Sequence, residues 1–489
     1  MNSRMARVFT LLCAGFGGIV LLLTWWQVVT AGELRQKDEN NQTAYYEQRI
    51  QRGFIGTADG VRLAGRGAEK GANGDTIWRR RYPQGSLAAH VLGYDTRGRS
   101  RSGVERAMND VLTGSTRDLG AVVGLLDGDE QAIGDNVTLT IDAGAQRTAE
   151  RALAERGFRG AVVVLEPKTG KVKVMASSPT FSAQDVENDF ASIVARTDSP
   201  LVNRATQARY APGSTFKLVT AAAALENGIS ADRTFKGGCG AKTNGPDIKN
   251  YGGACYGQHD FTKALTNSIN QSFAELGQEL GQDTMRAQMT RFGFFETPPL
   301  EGLPGNELRE SGLSDGSTPL PPETNVDIGR VAIGQERLTV TPLQMAMVAG
   351  AIANRGVLLK PSLIEQVNRG AEGPLNNGRV ISRHKVDVWK EAMSPANAAA
   401  LTKMMENVVN VGSGTAAQLR DIDVAGKTGT AETGGSGNLV WFVAFAPAND
   451  PKFAIAVAVE GQATGSTGGG TAAPIAKRVL QALLGETTN

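Results

Sequence analysis

Residues 210–228 read YAPGSTFKLVTAAAALENG, a turn-like lead-in followed by an Ala-rich apolar run. The Pro212-Gly213 pair interrupts the preceding chain, and the run predicts a helix that starts at Ser214 and ends at Gly228. Lys217 follows Ser214 by three residues, so both side chains lie on one face of that helix. Partial burial lowers the pKa of a lysine, which can then take the proton of a serine hydroxyl. The segment therefore predicts a nucleophilic serine with a lysine base, beside the unpaired N–H groups of a helix start.

A second polar motif, Ser268-Ile269-Asn270, lies in ALTNSINQSFAELGQEL at a predicted break between two helical pieces. Ser268 could relay a proton, and Asn270 could bind a substrate amide. Thr, Asn and Ser also crowd helix starts for purely local reasons, so a cap or turn explains the same residues.

A third motif, Lys427-Thr428-Gly429-Thr430, begins an apolar strand. Lys427 supplies positive charge, Gly429 lets a ligand approach the backbone, and the threonine hydroxyls can hold a carboxylate. A hairpin turn is the alternative interpretation.

The S-x-x-K pattern is weak by itself, because chance copies are expected in a chain of this length. Ser382-Arg-His-Lys385 repeats it without the Pro-Gly lead-in or the apolar helix. Lys168-Thr-Gly170 repeats K-T-G between two short strands, where a hairpin turn is the better interpretation. Ser436-Gly-Asn438 repeats S-x-N in a loop.

The run Val8–Val29 contains 22 residues without a charge, enough to span a bilayer as a helix. Arg4 and Arg7 precede it, which places the N-terminus in the cytoplasm, and Trp25 with Trp26 suits the far interface. A cleaved signal peptide is the alternative, but its apolar region is normally about 7–15 residues long. We therefore expect a single uncleaved anchor in the cytoplasmic (inner) membrane, with the rest of the chain outside the cytoplasm.

The composition of the chain argues against several classes of function. The chain has 489 residues, 41% of them hydrophobic, which suffices for two or three folded domains. Its 51 basic and 49 acidic residues leave a net charge of +2, which argues against a nucleic-acid-coating protein. Three histidines and three cysteines leave little for a metalloenzyme, and no Ser-His-Asp set is evident.

Cys239 and Cys255 lie in a Gly-rich segment outside the span, whereas Cys13 lies within it. In an oxidising compartment the outer pair predicts a disulfide that closes a loop of about 15 residues and stabilises the fold by roughly 3 kcal/mol. Two free thiols are the alternative. A metal site with His259 would have only three candidate ligands and no usual zinc spacing.

The pattern beyond the anchor changes near residue 140. Before it the chain is polar and turn-rich, with an Asp59-Gly60 hairpin signal. After it, strands at both ends enclose a mainly helical middle, which predicts an α+β fold with an antiparallel sheet, flanking helices and a helical subdomain. We therefore expect an anchor at 1–30, a small mostly-β domain at 31–140 and a catalytic domain at 141–489.

The three motifs in this order resemble class B penicillin-binding proteins. Five segments widen the resemblance over nearly the whole chain beyond the anchor: 52–64, 103–110, 200–228, 333–356 and 408–419. The first two resemble the pedestal domain of that class. Size and single anchor are similar to the short PbpA-type members of actinobacteria, and no upstream segment resembles a glycosyltransferase domain. Ala211 and Glu336 depart from the pattern, where the family often has Pro and Gly.

The resemblance implies a D,D-transpeptidase with a penicillin-binding, serine β-lactamase-like domain. Ser214 attacks the carbonyl between the two terminal D-alanines of a peptidoglycan stem peptide, and Lys217 takes its proton. Ser268 returns a proton to the departing D-alanine, and Asn270 holds a substrate amide. The substrate or β-lactam carboxylate is bound by Lys427, Thr428 and Thr430, and the N–H groups of Ser214 and Thr430 form the oxyanion hole.

The resemblance also implies that no cofactor or metal is needed and that no nucleic acid is bound. It implies a partner glycan polymerase of the FtsW/RodA type and other divisome or elongasome proteins. A D,D-carboxypeptidase or a β-lactamase, in which water resolves the acyl-enzyme, is the alternative. Residues 296–310 hold candidate deacylating glutamates but lack the E-x-x-L-N pattern of class A. Two further alternatives are disfavoured. A penicillin-sensing protein would be expected to have more membrane spans, and a catalytically inactive scaffold would be expected to have lost residues of the three motifs.

Overall fold

A computed structural model of the chain describes residues 3–25, 48–71, 74–96, 100–115, 133–243, 245–316, 318–370, 378–432 and 437–486. The helices are α1 (Ser3–Thr24), α2 (Ala89–Leu92), α3 (Gly103–Ala107), α4 (Asn109–Thr113), α5 (Ala143–Ala154), α6 (Ala183–Ala195), α7 (Lys217–Glu226), α8 (Phe261–Thr266), α9 (Asn270–Arg291), α10 (Ile328–Ala332), α11 (Pro342–Ala353), α12 (Pro395–Asn410) and α13 (Gly468–Leu484).

The strands in the first part of the chain are β1 (Ile55–Gly56), β2 (Arg62–Lys70), β3 (Thr76–Arg81), β4 (Asn136–Leu139), β5 (Gly160–Leu165) and β6 (Val172–Ser178). Short pairs follow: β7 (Thr234–Phe235), β8 (Gly240–Ala241), β9 (Ile248–Lys249), β10 (His259–Asp260), β11 (Gly312–Leu313) and β12 (Leu338–Thr339). The last strands are β13 (Val357–Leu359), β14 (Ile364–Asn368), β15 (Val380–Arg383), β16 (Val388–Glu391), β17 (Ala425–Glu432), β18 (Asn438–Ala446) and β19 (Phe453–Gln462).

An antiparallel five-stranded sheet, in the order β17-β18-β19-β5-β6, lies at the centre of the part of the chain beyond residue 140. Helices α5 and α13 pack on one face and α11 on the other. Successive residues of β5 therefore enter different cores: Val162 and Val164 pack with α13, whereas Val163 packs with α11. Because both faces are covered, β18 reads as a continuous apolar run that is buried along its length. The predicted α+β architecture is confirmed.

Helix α11 contacts both this sheet and α12, and each of its residues is buried. Such a helix is apolar all round, as the run from Pro342 to Ala353 is. Thr341 caps its start by accepting a hydrogen bond from Gln344 N at 3.1 Å, and Pro342 occupies the first turn, where no N–H donor is required.

The second sheet has six strands in the order β15-β14-β4-β1-β2-β3. The predicted Asp59-Gly60 hairpin joins β1 to β2, with Ile55 opposite Ala64. Strands β14 and β15 come from residues 364–383, far beyond the predicted pedestal segment. The segments on both sides of residue 140 thus share one sheet.

The Gly-rich residues before Pro474 belong to α13, which begins at Gly468. The reason is packing: a Cβ at Gly468 would lie 2.0 Å from the Trp441 carbonyl oxygen, so only glycine allows this helix start. The predicted break at Ser268-Ile269-Asn270 is confirmed, because α8 ends at Thr266 and α9 starts at Asn270.

Within the described ranges, one helix, Met5–Thr24, is long and apolar enough to cross a membrane. Its large apolar side chains are exposed. Trp26 and the end of the predicted span to Val29 lie outside the described residues.

A buried ion cluster holds the pedestal together. Glu105 is completely buried and accepts hydrogen bonds from Arg52 Nη2 at 2.9 Å and from Arg80 Nε at 2.5 Å. Arg52 also lies 3.3 Å from Asp95. Glu105 thus joins residues near the pedestal's start to β3 and α3, as an ion-pair residue.

We predict that Glu105→Gln destabilises the pedestal by about 3–5 kcal/mol, because it leaves buried guanidinium groups without their shared counter-charge. Urea unfolding followed by circular dichroism measures the loss. Glu69→Gln is the matched control, since Glu69 pairs with Arg79 and Arg81 at the surface and should cost below about 1 kcal/mol. Equal losses in the two variants would contradict a special role of the buried carboxylate.

Candidate active site

The segment around Ser214 forms a tight turn in front of a helix. Residues Gly213–Phe216 make one 3-10 turn, and the α-helix starts at Lys217, three residues later than predicted. Gly213 has a φ of 52° and donates its N–H to the Gly334 carbonyl at 2.9 Å. A Cβ there would lie 2.6 Å from Thr430 O, so a glycine is required. The turn is therefore held between β17 and the residues that precede β12.

Lys217 is completely buried at the start of α7. Its Nζ donates hydrogen bonds to the Ser268 carbonyl at 2.8 Å and to Asn270 Oδ1 at 2.8 Å, and it lies 3.3 Å from Ser268 Oγ. The ammonium also sits over the Phe273 ring, 5.2 Å from its centroid. The first two motifs thus meet at one lysine.

Ser268 links the second motif to the third. Lys427, also completely buried, donates from Nζ to Ser268 Oγ at 2.9 Å and to the Thr428 carbonyl at 3.1 Å. Ser268 has a φ of 57°, a left-handed conformation that is costly for a serine. That conformation lets its carbonyl and its hydroxyl both contact lysine ammonium groups.

Burial changes the acidity of both lysines. Desolvation, with the nearby charge of Lys427, holds the pKa of Lys217 well below its ordinary value. Desolvation lowers the pKa of Lys427 to about 7. Neutral amine is therefore available at physiological pH without a histidine or a carboxylate.

Asn270 begins α9 and uses both ends of its amide. Besides the contact with Lys217, its Nδ2 donates to the Lys249 carbonyl at 2.8 Å. Lys249 ends strand β9, within the segment that Cys239 and Cys255 close with a disulfide. The three candidate ligands of the alternative metal site have other partners: both cysteine sulfurs are in the disulfide, and His259 contacts Gly257 O and Ser272 Oγ through its two ring nitrogens.

The third motif lies on the edge strand β17. Thr428 Oγ1 hydrogen-bonds Ser413 Oγ at 2.5 Å, and Thr430 is half-buried. A Cβ at Gly429 would lie 2.9 Å from Thr215 Cγ2. The glycine therefore lets the Ser214 turn pack closely against this strand.

Several groups at the site were not predicted from the sequence. Ser413 contacts Thr428, the Lys249 carbonyl contacts Asn270, and Trp441 Nε1 donates to Ala211 O at 3.1 Å just before the Ser214 turn. Ser413 lies in one of the family-like segments, which was its only signal. A backbone carbonyl has no signal in sequence, because every residue carries one.

The duplicate motifs lie elsewhere. Ser382 and Lys385 are exposed on and after the edge strand β15 of the other sheet. Lys168-Thr-Gly170 forms the predicted turn between β5 and β6, and Lys168 pairs with Asp450 at the surface. Ser436 lies outside the described residues. The tertiary structure thus brings one set of serine and lysine motifs together. The duplicate S-x-x-K motif and the lysine of the duplicate K-T-G motif lie at the surface, away from that set.

Three of the four candidate glutamates between 296 and 310 have partners other than Lys217 and Lys427. Glu296 pairs with Lys390, Glu301 accepts from Ser362, and Glu307 accepts from Gly103 N. Among the contacts of the described residues, none joins a carboxylate to Ser214 or to either buried lysine. Those residues also contain no group of three His, Cys, Asp or Glu side chains suited to a metal ion.

Comparison with known proteins places this geometry in a family. The penicillin binding protein transpeptidase domain matches residues 160–481, and the penicillin binding protein A dimerisation domain matches residues 52–137. The peptidoglycan D,D-transpeptidase PbpA of Mycolicibacterium smegmatis is 34% identical, covering 99% of this chain and 100% of its own. Its Mycobacterium tuberculosis counterpart is 33% identical, covering 99% of each chain.

Solved structures agree. Penicillin-binding protein A from M. tuberculosis, as a ceftriaxone acyl-enzyme complex, superposes with a TM-score of 0.80 at 32% identity, covering 90% of this chain and 99% of that one. A D,D-transpeptidase domain from Eggerthella lenta gives 0.75 at 36% identity, covering 89% and 99%. The chain therefore belongs to the penicillin-binding protein transpeptidase family, as a class B member of the PbpA type.

Proposed function

We propose that this chain is a membrane-anchored peptidoglycan D,D-transpeptidase that β-lactams acylate and inhibit. The observation that carries the proposal is the contact of one serine hydroxyl, Ser268 Oγ, with two buried lysine ammonium groups next to the Ser214 turn. Relatives of this chain bear the transpeptidase name, and neighbouring structures are β-lactam acyl-enzymes.

In the first half-reaction Ser214 Oγ attacks the carbonyl carbon between the two terminal D-alanines, and its proton passes to neutral Lys217. The tetrahedral oxyanion accepts hydrogen bonds from the backbone N–H groups of Ser214 and Thr430. The C–N bond then breaks, and the departing D-alanine amine receives a proton through Ser268. The product is an ester between Ser214 and the stem peptide.

In the second half-reaction an amine of a neighbouring stem peptide attacks that ester. The new amide bond forms, Ser214 leaves as the alkoxide, and the proton lost by the amine returns to it. Asn270 holds a substrate amide throughout, whereas Lys427, Thr428 and Thr430 bind the terminal carboxylate of the donor peptide in the first half-reaction, or the carboxylate of a β-lactam. Hydrolysis by water, as in a D,D-carboxypeptidase or β-lactamase, needs a group to activate the water. Glu296, Glu301 and Glu307 have partners elsewhere, which favours aminolysis.

We also propose the finer placement in the cell. One span, Met5–Thr24, crosses the cytoplasmic (inner) membrane with the N-terminus in the cytoplasm, and the catalytic domain lies outside. The disulfide suits that compartment. The division into 1–30, 31–140 and 141–489 remains part of the proposal. A partner polymerase of the FtsW/RodA type, within the division or elongation machinery, is also part of the proposal. The class B resemblance supports this partner. Co-purification of the polymerase with the full chain from membranes tests it.

We predict that fluorescent penicillin labels the full-length protein in detergent and that Ser214→Ala abolishes the labelling. Ser382→Ala, which changes the exposed copy of the same S-x-x-K pattern, should label like the wild type. Gel fluorescence after denaturation measures the covalent adduct. Equal labelling of Ser214→Ala would refute the nucleophile, and loss of the label within seconds would indicate a β-lactamase.

We predict that acylation slows as the pH falls through the lowered pKa of Lys217, because the protonated amine cannot accept the serine proton. On the alkaline side, Lys427 loses its charge above its pKa of about 7 and binds the carboxylate less well, so the rate falls again. The second-order rate constant for penicillin G between about pH 5 and pH 9 tests this profile.

Lys168→Ala is the matched control for that profile, since it changes the exposed lysine of the duplicate K-T-G motif. This variant should leave the fall in rate on both the acidic and the alkaline side unchanged. A wild-type rate that is constant over the acidic half of the range would exclude a lysine base.

A further inference from the structure

The amide of Asn270 has a defined orientation in the site. Its oxygen accepts from Lys217 Nζ, and its nitrogen donates to the Lys249 carbonyl, each at 2.8 Å. A side-chain amide carries two N–H hydrogens, so one remains for a ligand. A loss of the Lys249 contact would remove one of the two contacts that hold the amide plane.

The segment that carries Lys249 has little apolar support. Gly240–Ala241 pairs with Ile248–Lys249 as a short hairpin, and the Cys239–Cys255 disulfide closes the ends. Ala241 and Ile248 are buried, but Tyr251, Gly252 and Gly253 are exposed. The position of this segment against α9 therefore depends strongly on polar contacts.

One side chain, Asn250, supplies most of those contacts. It is 3% exposed, and its Nδ2 donates to Gly238 O at 3.2 Å and to Ala254 O at 3.0 Å. Its Oδ1 accepts from Gln271 N at 3.0 Å, one of the unpaired N–H groups at the start of α9. Asn250 thus joins both ends of the segment to the turn of helix that contains Asn270.

We propose that Asn250 is a positioning residue for acyl transfer. It holds the Lys249 carbonyl against Asn270, so that the second N–H of Asn270 points at the side-chain amide carbonyl of the substrate. This inference rests on the proposed function, because it assigns that carbonyl to Asn270. A purely structural residue would affect all β-lactams alike, whereas this positioning role affects those with an acylamino carbonyl.

The test compares penicillin G with 6-aminopenicillanic acid, which has the same bicyclic nucleus but no acyl carbonyl. Acylation rate constants are measured by competition with fluorescent penicillin, using the full-length protein in detergent. Asn250→Ala should slow acylation by penicillin G about tenfold or more. The rate for 6-aminopenicillanic acid should change less than about threefold, so the ratio of the two rates falls.

Asn368→Ala is the matched control. Asn368 is equally buried and holds a backbone carbonyl, Gly378 O, but it lies in the six-stranded sheet. This variant should leave the ratio at the wild-type value. Gln271→Ala, which removes the contact of Gln271 Nε2 with Gly237 O, loosens the same segment from the helix side and should lower the ratio as Asn250→Ala does. Gln271→Ala replaces Asn250→Ala in the test if the Asn250→Ala variant does not fold.

Equal slowing with both compounds, or no slowing with either, would overturn the positioning role. A wild-type protein that neither compound acylates would instead refute the proposed function, and the inference would fail with it. A lowered ratio in both segment variants, with an unchanged ratio in Asn368→Ala, would support it.

Discussion

Two lysine side chains buried around a single serine hydroxyl impose the main physical constraint on this protein. Burying an ammonium group is costly unless acceptors surround it, or unless it gives up its proton. Both responses are present here. Oxygen atoms of Ser268, Asn270 and Thr428 accept from the two ammonium groups, and burial lowers the pKa of Lys217 and Lys427. The arrangement that stabilises the charges also supplies a neutral amine for catalysis.

This constraint explains why irregular backbone lies at the centre of the site. The lysines must come from a helix start and from an edge strand, and the hydroxyl must reach both of them. Ser268 does so only in a left-handed conformation between two helices. Gly213 and Gly429 bring the Ser214 turn into backbone contact with β17, where a Cβ on either would collide. Part of the glycine content of the chain is explained by this close packing.

The surrounding fold keeps these pieces in place. The five-stranded sheet carries Lys427 on its edge strand and is enclosed by α5, α11 and α13. The pedestal is not an independent addition, because β14 and β15 return from the catalytic segment to complete its sheet. Glu307 further accepts from the N–H of Gly103 at the start of α3, and Glu150 from that of Ala88 just before α2. Pedestal and catalytic domain thus share strands and polar contacts.

Local pattern was sufficient for the α+β class, the break before Asn270 and the order of the three motifs, because periodicity and turn residues act over a few neighbours. It could not separate Ser214-Thr-Phe-Lys217 from Ser382-Arg-His-Lys385 by spacing, since both have the same one. Burial separates them: Lys217 lies in the core and Lys385 at the surface. The Lys249 carbonyl, the sheet shared across residue 140 and the start of α13 at Gly468 were also decided by tertiary packing. Each depends on contacts between residues that are far apart in the sequence, and local sequence patterns carry no information about such contacts.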